Sequence, residues 1–195
     1  MEPNRFEMKT AAIRNPKPEH VKTNKEVSDW FHCSAVVGTT KSWPAKIMLA
    51  HVASAEGIIA AENAMGGSRQ MSYDAVPGAI FTSPEVANVG LTADQAKEKG
   101  LNFRADTVLF RTIGKAQVIG ELAGETKIVS DVVTGKVLGF HIIGPHATDL
   151  IAEGTLAVTT GRTVQELAET IHAHPTLAEV TMETAFKAMG RALHG

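Results

Sequence analysis

Residues 172–179 hold two histidines and a carboxylate at short spacing, in the run His172-Ala173-His174-Pro175-Thr176-Leu177-Ala178-Glu179. A histidine can accept or donate a proton near neutral pH, and it does so best when a second group fixes its orientation and tautomer. Because Pro175 keeps the preceding residue out of helical geometry, the ring of His174 can fold back toward Glu179. The spacing therefore permits an acid–base pair between these two side chains.

Two other interpretations of the same run stay open. Thr176 and Glu179 match a helix capping box, in which case the two histidines are ordinary surface residues. Taken alone, the pattern favours this structural interpretation, because short motifs often match by chance. A metal site at His172 and His174 is the third interpretation, but no cysteine or carboxylate completes a ligand set at a suitable spacing. The sequence therefore predicts no metal.

Composition limits the classes of function. The chain of 195 residues has a formal net charge of -2 and no dense run of Lys and Arg, so nucleic acid is not an expected partner. No apolar run approaches the roughly 18 residues of a membrane span, and the amino terminus lacks the apolar stretch of a secretory signal. We therefore expect a cytoplasmic protein without a membrane partner. Cys33 is the single cysteine, which excludes an intrachain disulfide and a cysteine-rich zinc site.

The elements that must position these residues begin after an amino-terminal arm at residues 1–45, which shows no sustained periodicity and is predicted to be irregular. The alanine-rich stretch Met48–Met65, followed by Gly66 and Gly67, predicts a helix and its end. The apolar pattern then predicts strands and one capped helix. The strands are Ala79–Thr82, Val86–Val89 and Phe103–Phe110, and the helix is Ala93–Lys99, opened by a Thr92–Gln95 capping box.

The second half of the chain predicts a hairpin and then helices. Alternation in Glu125–Val133, a turn at Thr134 and Gly135, and the apolar run Lys136–Ile143 predict a β-hairpin. Helices follow at His146–Thr160, from a Thr163–Glu166 capping box to Thr170, and from about Thr176 to Met189. A helix, then strands, then helices predicts an α+β fold with an antiparallel sheet flanked by helices.

Several runs, in the same order, resemble those of dihydrolipoamide dehydrogenases, which belong to the pyridine nucleotide–disulfide oxidoreductase family. The run at residues 172–179 resembles a signature near the carboxy terminus of these enzymes. The other runs are Met48-Leu49-Ala50-His51 with Ala53, Glu56 and Gly57; Tyr73-Asp74 through Pro77; Phe81-Thr82-x-Pro84-Glu85-Val86-Ala87-x-Val89-Gly90; and Leu138-Gly139-x-His141-x-x-Gly144-Pro145-x-Ala147 with Glu153. Several motifs in order are more specific than any one of them, and the resemblance extends over roughly residues 46–195.

The resemblance implies a role for each matching residue of the histidine run. His174 would be the proton acceptor and donor for a dihydrolipoamide thiol, and Glu179 would orient it and stabilise its charged form. In the family the His174–Pro175 peptide bond is cis. His172 receives no role. In the family this histidine serves the redox disulfide of the other subunit, so the resemblance implies a site completed across a two-fold interface.

The resemblance also implies FAD and NAD as cofactors of the complete enzyme, with Met48, Leu49, Ala50 and His51 lying against the flavin ring. It divides the chain into an arm at 1–45 without resemblance, a helix at 46–70 that is a remnant of the FAD-binding domain, and a dimerisation domain at 71–195. The sequence has no Gly-x-Gly-x-x-Gly fingerprint and no Cys-x-x-x-x-Cys, and it reads Val37-Gly38-Thr39-Thr40 where the family has a Gly-Asp pair. These absences count against flavin binding by this chain alone.

Two functions are therefore expected as alternatives. In the first, the chain is the carboxy-terminal part of a dihydrolipoyl dehydrogenase and supplies the His–Glu pair and the dimer interface. In the second, it is a non-catalytic dimerisation module. The implied partners are a second copy or a full-length subunit, and the lipoyl group of a 2-oxo acid dehydrogenase complex or of the glycine cleavage system. Because the resemblance stops abruptly near Ala45, we expect a truncated, rearranged or frame-shifted product.

Overall fold

The structure is a computed structural model, and it describes residues 47–194. The chain divides into two compact units, one ending at Met71 and the other beginning at Ser72. The expected irregular arm at residues 1–45, which includes Cys33, lies outside the described residues.

The first unit contains helix α1 at Ala50–Ala64. Its alanines have the highest intrinsic helix propensity, which explains why the stretch is helical. Leu49 adopts the extended angles φ -127° and ψ 143° and is the N-cap, so α1 begins two residues later than the predicted start at Met48. After the helix, Gly66 adopts a φ of 99°, a conformation that side chains other than that of glycine disfavour.

An open five-stranded antiparallel sheet forms the centre of the second unit. Its strands are β1 (Gly78–Ile80), β2 (Glu85–Gly90), β3 (Phe103–Leu109), β4 (Glu125–Asp131) and β5 (Val137–Gly144). Their spatial order is β1-β2-β5-β4-β3, and all neighbouring pairs are antiparallel. The predicted α+β fold with an antiparallel sheet is confirmed, although most strand ends differ by one or two residues from the predicted bounds.

The predicted β-hairpin is β4 and β5. It pairs Ile128 with Phe140, and both side chains are fully buried. The carboxylate of Asp131 closes the turn, because its Oδ1 accepts the N–H groups of Val133 and Thr134 and the hydroxyl of Thr134. These hydrogen bonds, led by the one from the Thr134 backbone, hold the pKa of Asp131 below its usual value. Strand β4 therefore ends at Asp131 and not at Val133 as predicted.

Five helices accompany the sheet in the described part of the second unit. They are α2 (Ala93–Glu98), α3 (Gly114–Ile119), α4 (Ala147–Thr160), α5 (Val164–Glu169) and α6 (Glu179–Ala188), with a 3-10 turn at Phe110–Thr112. The capping boxes predicted before α2 and α5 both form. Neither α3 nor the 3-10 turn was predicted, because they are only six and three residues long, too short for a helical period to show, and no side chain caps them. Helix α4 packs on β2 and β5, α6 packs on β3 and β4, and α5 packs against α6.

Two contacts fix α4 against the sheet. In its first turn, Thr148 donates its N–H and its hydroxyl to Oε2 of Glu85 in β2, at 2.9 and 2.7 Å. In its middle, Gly154 lies so close to Phe140 of β5 that a Cβ atom there would be 2.5 Å from Cγ of the ring. Only glycine permits this approach, so α4 is held to the sheet at two points along its length.

Candidate active site

The segment between α5 and α6 carries the histidines identified from the sequence. Helix α5 ends at Glu169, its C-cap Thr170 has an extended backbone at φ -68° and ψ 126°, and α6 begins at Glu179. The His174–Pro175 peptide bond within the segment is cis. The two histidines thus lie on an irregular turn between two helices that pack against each other.

The structure brings His174 and Glu179 together. Nδ1 of His174 lies 2.8 Å from Oε1 of Glu179. The side chain of His174 is 76% exposed, whereas that of Glu179 is 15% exposed, so a largely buried carboxylate holds a ring that projects into solvent. Within residues 47–194, no group forms a hydrogen bond with Nε2 of His174. That nitrogen is therefore open to a ligand.

Glu179 has a second partner, since its Oε2 accepts the backbone N–H of Thr176 at 2.8 Å. Burial raises the pKa of Glu179, but the hydrogen bonds from Thr176 and His174 outweigh this effect, and the pKa lies below its usual value. The carboxylate is therefore ionised at neutral pH and can only accept hydrogen bonds. It follows that Nδ1 of His174 carries a hydrogen and that Nε2 of the neutral ring carries the lone pair.

The expected Thr176–Glu179 capping box forms only in part. Glu179 reaches back to the N–H of Thr176, but the hydroxyl of Thr176 donates to the carbonyl oxygen of Ala173 at 2.7 Å. The N-cap is Ala178, which makes no side-chain hydrogen bond, so α6 begins three residues after the predicted start at Thr176. Helix capping alone therefore does not account for the arrangement of His174 and Glu179.

His172 is not an ordinary surface residue, and that interpretation is wrong. Its side chain is 5% exposed, and both ring nitrogens have partners. Nδ1 lies 2.8 Å from the carbonyl oxygen of Thr170, and Nε2 lies 2.9 Å from Oε1 of Glu153 in α4. The hydrogen bond to Glu153 raises the pKa of His172 above its usual value. No local pattern could reveal this pair, because Glu153 precedes His172 by 19 residues.

A further histidine–carboxylate pair was missed from the sequence. Nδ1 of His194 lies 2.6 Å from Oε1 of Glu183, whose side chain is 3% exposed. The hydrogen bond to Glu183 raises the pKa of His194, and the charge of Glu179 adds to this effect. The charge of His194 therefore interacts with the charge of Glu179 as well as with that of Glu183.

The residues expected against a flavin, Met48, Leu49, Ala50 and His51, lie at the start of α1 in the first unit. All four are exposed, Met48 at 89% and Leu49 at 38%. Among residues 47–194, no group of three or more His, Cys, Asp or Glu is arranged to hold a metal ion. None of the helices in that range is long and apolar enough to cross a membrane.

The open five-stranded antiparallel sheet with its helices is the fold of a disulphide-oxidoreductase dimerisation domain. The sequence model of the pyridine nucleotide-disulphide oxidoreductase dimerisation domain matches residues 76–185, more than half of the chain. The chain therefore belongs to the pyridine nucleotide-disulphide oxidoreductase family and carries its dimerisation domain.

Relatives within the family include dihydrolipoyl dehydrogenases. That of Chlamydia trachomatis is 49% identical over 149 residues, which are 76% of this chain and 32% of the relative. That of Haloferax volcanii is 43% identical over 167 residues, which are 86% of this chain and 34% of the relative. The chain thus spans about a third of the length of the curated relatives that it matches.

Two solved structures have a similar fold. LpdA from Mycobacterium tuberculosis has a TM-score of 0.69 and 32% identity, covering 72% of this chain and 31% of that protein. The HOCl-induced flavoprotein disulfide reductase RclA from Escherichia coli has a TM-score of 0.67 and 22% identity, covering 71% of this chain and 32% of that protein, which shows the fold alone. The resemblance inferred from the sequence motifs is confirmed, and the roles of His174 and Glu179 stay predictions.

Proposed function

We propose that this chain supplies the acid–base pair and the dimer interface of a dihydrolipoyl dehydrogenase. His174 takes and returns the thiol proton, and Glu179 orients the ring of His174. The observation that carries this proposal is the 2.8 Å contact between Nδ1 of His174 and Oε1 of Glu179, in a ring that is 76% exposed. The reaction is supported by the 43% and 49% identity to two dihydrolipoyl dehydrogenases.

The chemistry follows from the hydrogen-bonding roles of the ring nitrogens. With Nδ1–H donated to Glu179, the lone pair of Nε2 on the opposite side of the ring accepts a proton from a thiol of dihydrolipoamide. A free thiol has a pKa of about 8.5, so at neutral pH a base is needed to form the thiolate, which is the nucleophile toward a disulfide. The ionised Glu179 stabilises the imidazolium that results, and the reverse transfer returns the proton to a thiolate.

The disulfide that the thiolate attacks needs two cysteines, and this sequence has one. We therefore assign the disulfide to a full-length partner subunit, because a second copy of this chain also has a single cysteine. A two-fold contact would use the same surface of both chains. The lipoyl group would be presented by a 2-oxo acid dehydrogenase complex or by the glycine cleavage system.

The cofactors of the complete enzyme would be FAD and NAD, and bound FAD would supply the electron transfer between the disulfide and NAD. Met48 and Leu49 fit one wall of such a site, because they are exposed apolar side chains at the start of α1. With Ala50 and His51 they would bind and orient the flavin ring. In this proposal, residues 46–70 are a remnant of the FAD-binding domain, and residues 71–195 are the dimerisation domain.

A chimera tests the proposal. In a Bacillus subtilis dihydrolipoyl dehydrogenase, which is 48% identical over 149 residues, the segment that aligns with residues 72–195 is replaced by those residues of this chain. We expect the chimera to reduce NAD in a manner that depends on dihydrolipoamide. His174→Gln should lower kcat by about 10²–10⁴-fold, the usual contribution of general acid–base catalysis.

The matched control is His146→Gln, which changes another exposed histidine, 3.7 Å from Asp149. This substitution should leave kcat within about twofold, because surface changes away from the site have small effects. An active chimera in which His174→Gln turns over as fast as the parent would remove His174 from the catalytic role.

A second candidate function is a dimerisation module without catalysis, and the single cysteine of the sequence favours it. In that case the purified chain forms colourless dimers in analytical ultracentrifugation and shows no turnover. A yellow flavin spectrum together with lipoamide-dependent oxidation of NADH by the chain alone would contradict this alternative.

A further inference from the structure

We propose that His172 and Glu153 are positioning residues for His174: they tie the turn that carries His174 to helix α4, and the positive charge of His172 acts on Glu179. The inference rests on the proposed acid–base role of His174. It is carried by the contacts of His172, whose side chain is 5% exposed although that of His174, two residues later, is 76% exposed.

The contacts of His172 determine its charge. The partner of Nδ1 is the carbonyl oxygen of Thr170 at 2.8 Å, and a carbonyl oxygen only accepts. The partner of Nε2 is the carboxylate of Glu153 at 2.9 Å, which when ionised also only accepts. In the imidazolium form of His172 both ring nitrogens donate, and no lone pair is left for catalysis. The hydrogen bond to Glu153 raises the pKa of His172 and so favours this charged form.

The same contacts anchor the turn. The hydrogen bond from His172 joins the turn to α4, and Gly154, the residue after Glu153, holds α4 close to Phe140 of the sheet. The other described hydrogen bonds of the turn are local, such as that from the Thr176 hydroxyl to the carbonyl oxygen of Ala173. The His172–Glu153 pair thus connects the backbone beside His174 to the sheet through α4.

The charge of His172 acts on the partner of His174. The carboxylates whose charges act on the imidazolium of His172 are Glu153, in direct contact, and Glu179. The positive charge of His172 in turn favours the ionised form of Glu179. Since only an ionised Glu179 holds the hydrogen on Nδ1 of His174, His172 helps to keep the lone pair on Nε2.

The experiment reads the tautomer of His174 directly, by NMR of the full chain labelled with nitrogen-15 in its histidine rings. In the unmodified chain we expect the neutral ring of His174 to carry its hydrogen on Nδ1. In Glu153→Gln and in His172→Gln, the ratio of the Nδ1–H to the Nε2–H form should fall by roughly twofold to tenfold, the range that the loss of one hydrogen bond produces. Asp149→Asn is the matched control on α4, and its side chain is 85% exposed.

Two results distinguish a failure of the positioning role from a failure of the proposed function. An unchanged ratio in both variants, with the His172 signals of Glu153→Gln showing that the ion pair is lost, overturns the positioning role alone. A ring of His174 that carries its hydrogen on Nε2 in the unmodified chain contradicts the His174–Glu179 pair itself, and with it the proposed function.

A titration of the unmodified chain gives a test that needs no variant and so does not depend on whether a variant folds. Raising the pH until His172 loses its second proton should shift the ring nitrogen signals of His174 at the same midpoint. Signals of His174 that stay constant while His172 titrates overturn the proposal.

Discussion

Glu153→Gln should destabilise the second unit, and the loss should depend on pH. A hydrogen bond to a charged group contributes about 1.5–3 kcal/mol and a neutral one about 0.5–1.5 kcal/mol. The amide oxygen of the glutamine can still accept a hydrogen bond from Nε2 of His172, and the side chain of Glu153 is 29% exposed. Both facts favour a small difference in stability between the charged and the neutral hydrogen bond. We therefore expect a loss of about 1 kcal/mol in the free energy of unfolding where His172 is charged.

The sign of the pH dependence follows from the raised pKa of His172, whose largest cause is the hydrogen bond to Glu153. A histidine in the unfolded chain has a pKa of about 6.5. The His172–Glu153 pair therefore contributes its full stabilisation below that pH, and the stabilisation is lost as the pH rises through the folded-state pKa of His172. Urea unfolding, followed by circular dichroism at about pH 6 and about pH 9, should show a larger loss at the lower pH.

The control for this prediction is Asp149→Asn on the same helix. Its carboxylate is 85% exposed and lies 3.7 Å from His146, so the change in unfolding free energy should stay within about 0.5 kcal/mol at both pH values. A loss from Glu153→Gln that is equal at both pH values, or a gain in stability at the lower one, would refute the assignment of His172 as a buried cation.

Two further predictions concern packing and the carboxy terminus. Gly154→Ala should destabilise the second unit by about 1–2 kcal/mol in urea unfolding, because the added Cβ atom would lie 2.5 Å from the buried ring of Phe140. The control is Gly114→Ala, where an added Cβ atom would meet no atom within 4 Å. This variant should be neutral or stabilise by up to about 1 kcal/mol. Equal effects would contradict the close helix–sheet approach. His194→Gln should lower the melting temperature more below about pH 6.5 than above it, because the hydrogen bond to Glu183 raises the pKa of His194. An effect that does not depend on pH would contradict the pairing of His194 with Glu183.

Local signals in the sequence were sufficient for much of the fold. The hairpin of β4 and β5 follows from alternation and a Thr134–Gly135 turn, and the capping boxes before α2 and α5 form as predicted. Each of these signals is contained within a few residues, so it can be read without knowledge of the tertiary structure. Helix α3 has six residues and no capping side chain, so neither a helical period nor a capping motif indicates it.

The site was only partly readable from sequence. His174 and Glu179 are five residues apart, and Pro175 keeps His174 out of the helix, so the sequence allowed their pairing to be predicted. The pair between His172 and Glu153 depends on the packing of α4 beside the turn, which no local pattern encodes. The predicted start of the last helix at Thr176 was wrong. The carboxylate of Glu179 forms hydrogen bonds with both the N–H of Thr176 and the ring of His174.

We expect Glu179 to act through His174, and a double-mutant cycle on the kcat of the chimera measures the coupling between the two residues. Glu179→Gln should slow turnover, because the ring of His174 loses its ionised partner, and His174→Gln should slow it by about 10²–10⁴-fold. The double variant should be no slower than His174→Gln alone, since groups that act as one unit are not additive. If the two losses multiply in the double variant, or if Glu179→Gln turns over as fast as the parent chimera, the account of the pair is wrong.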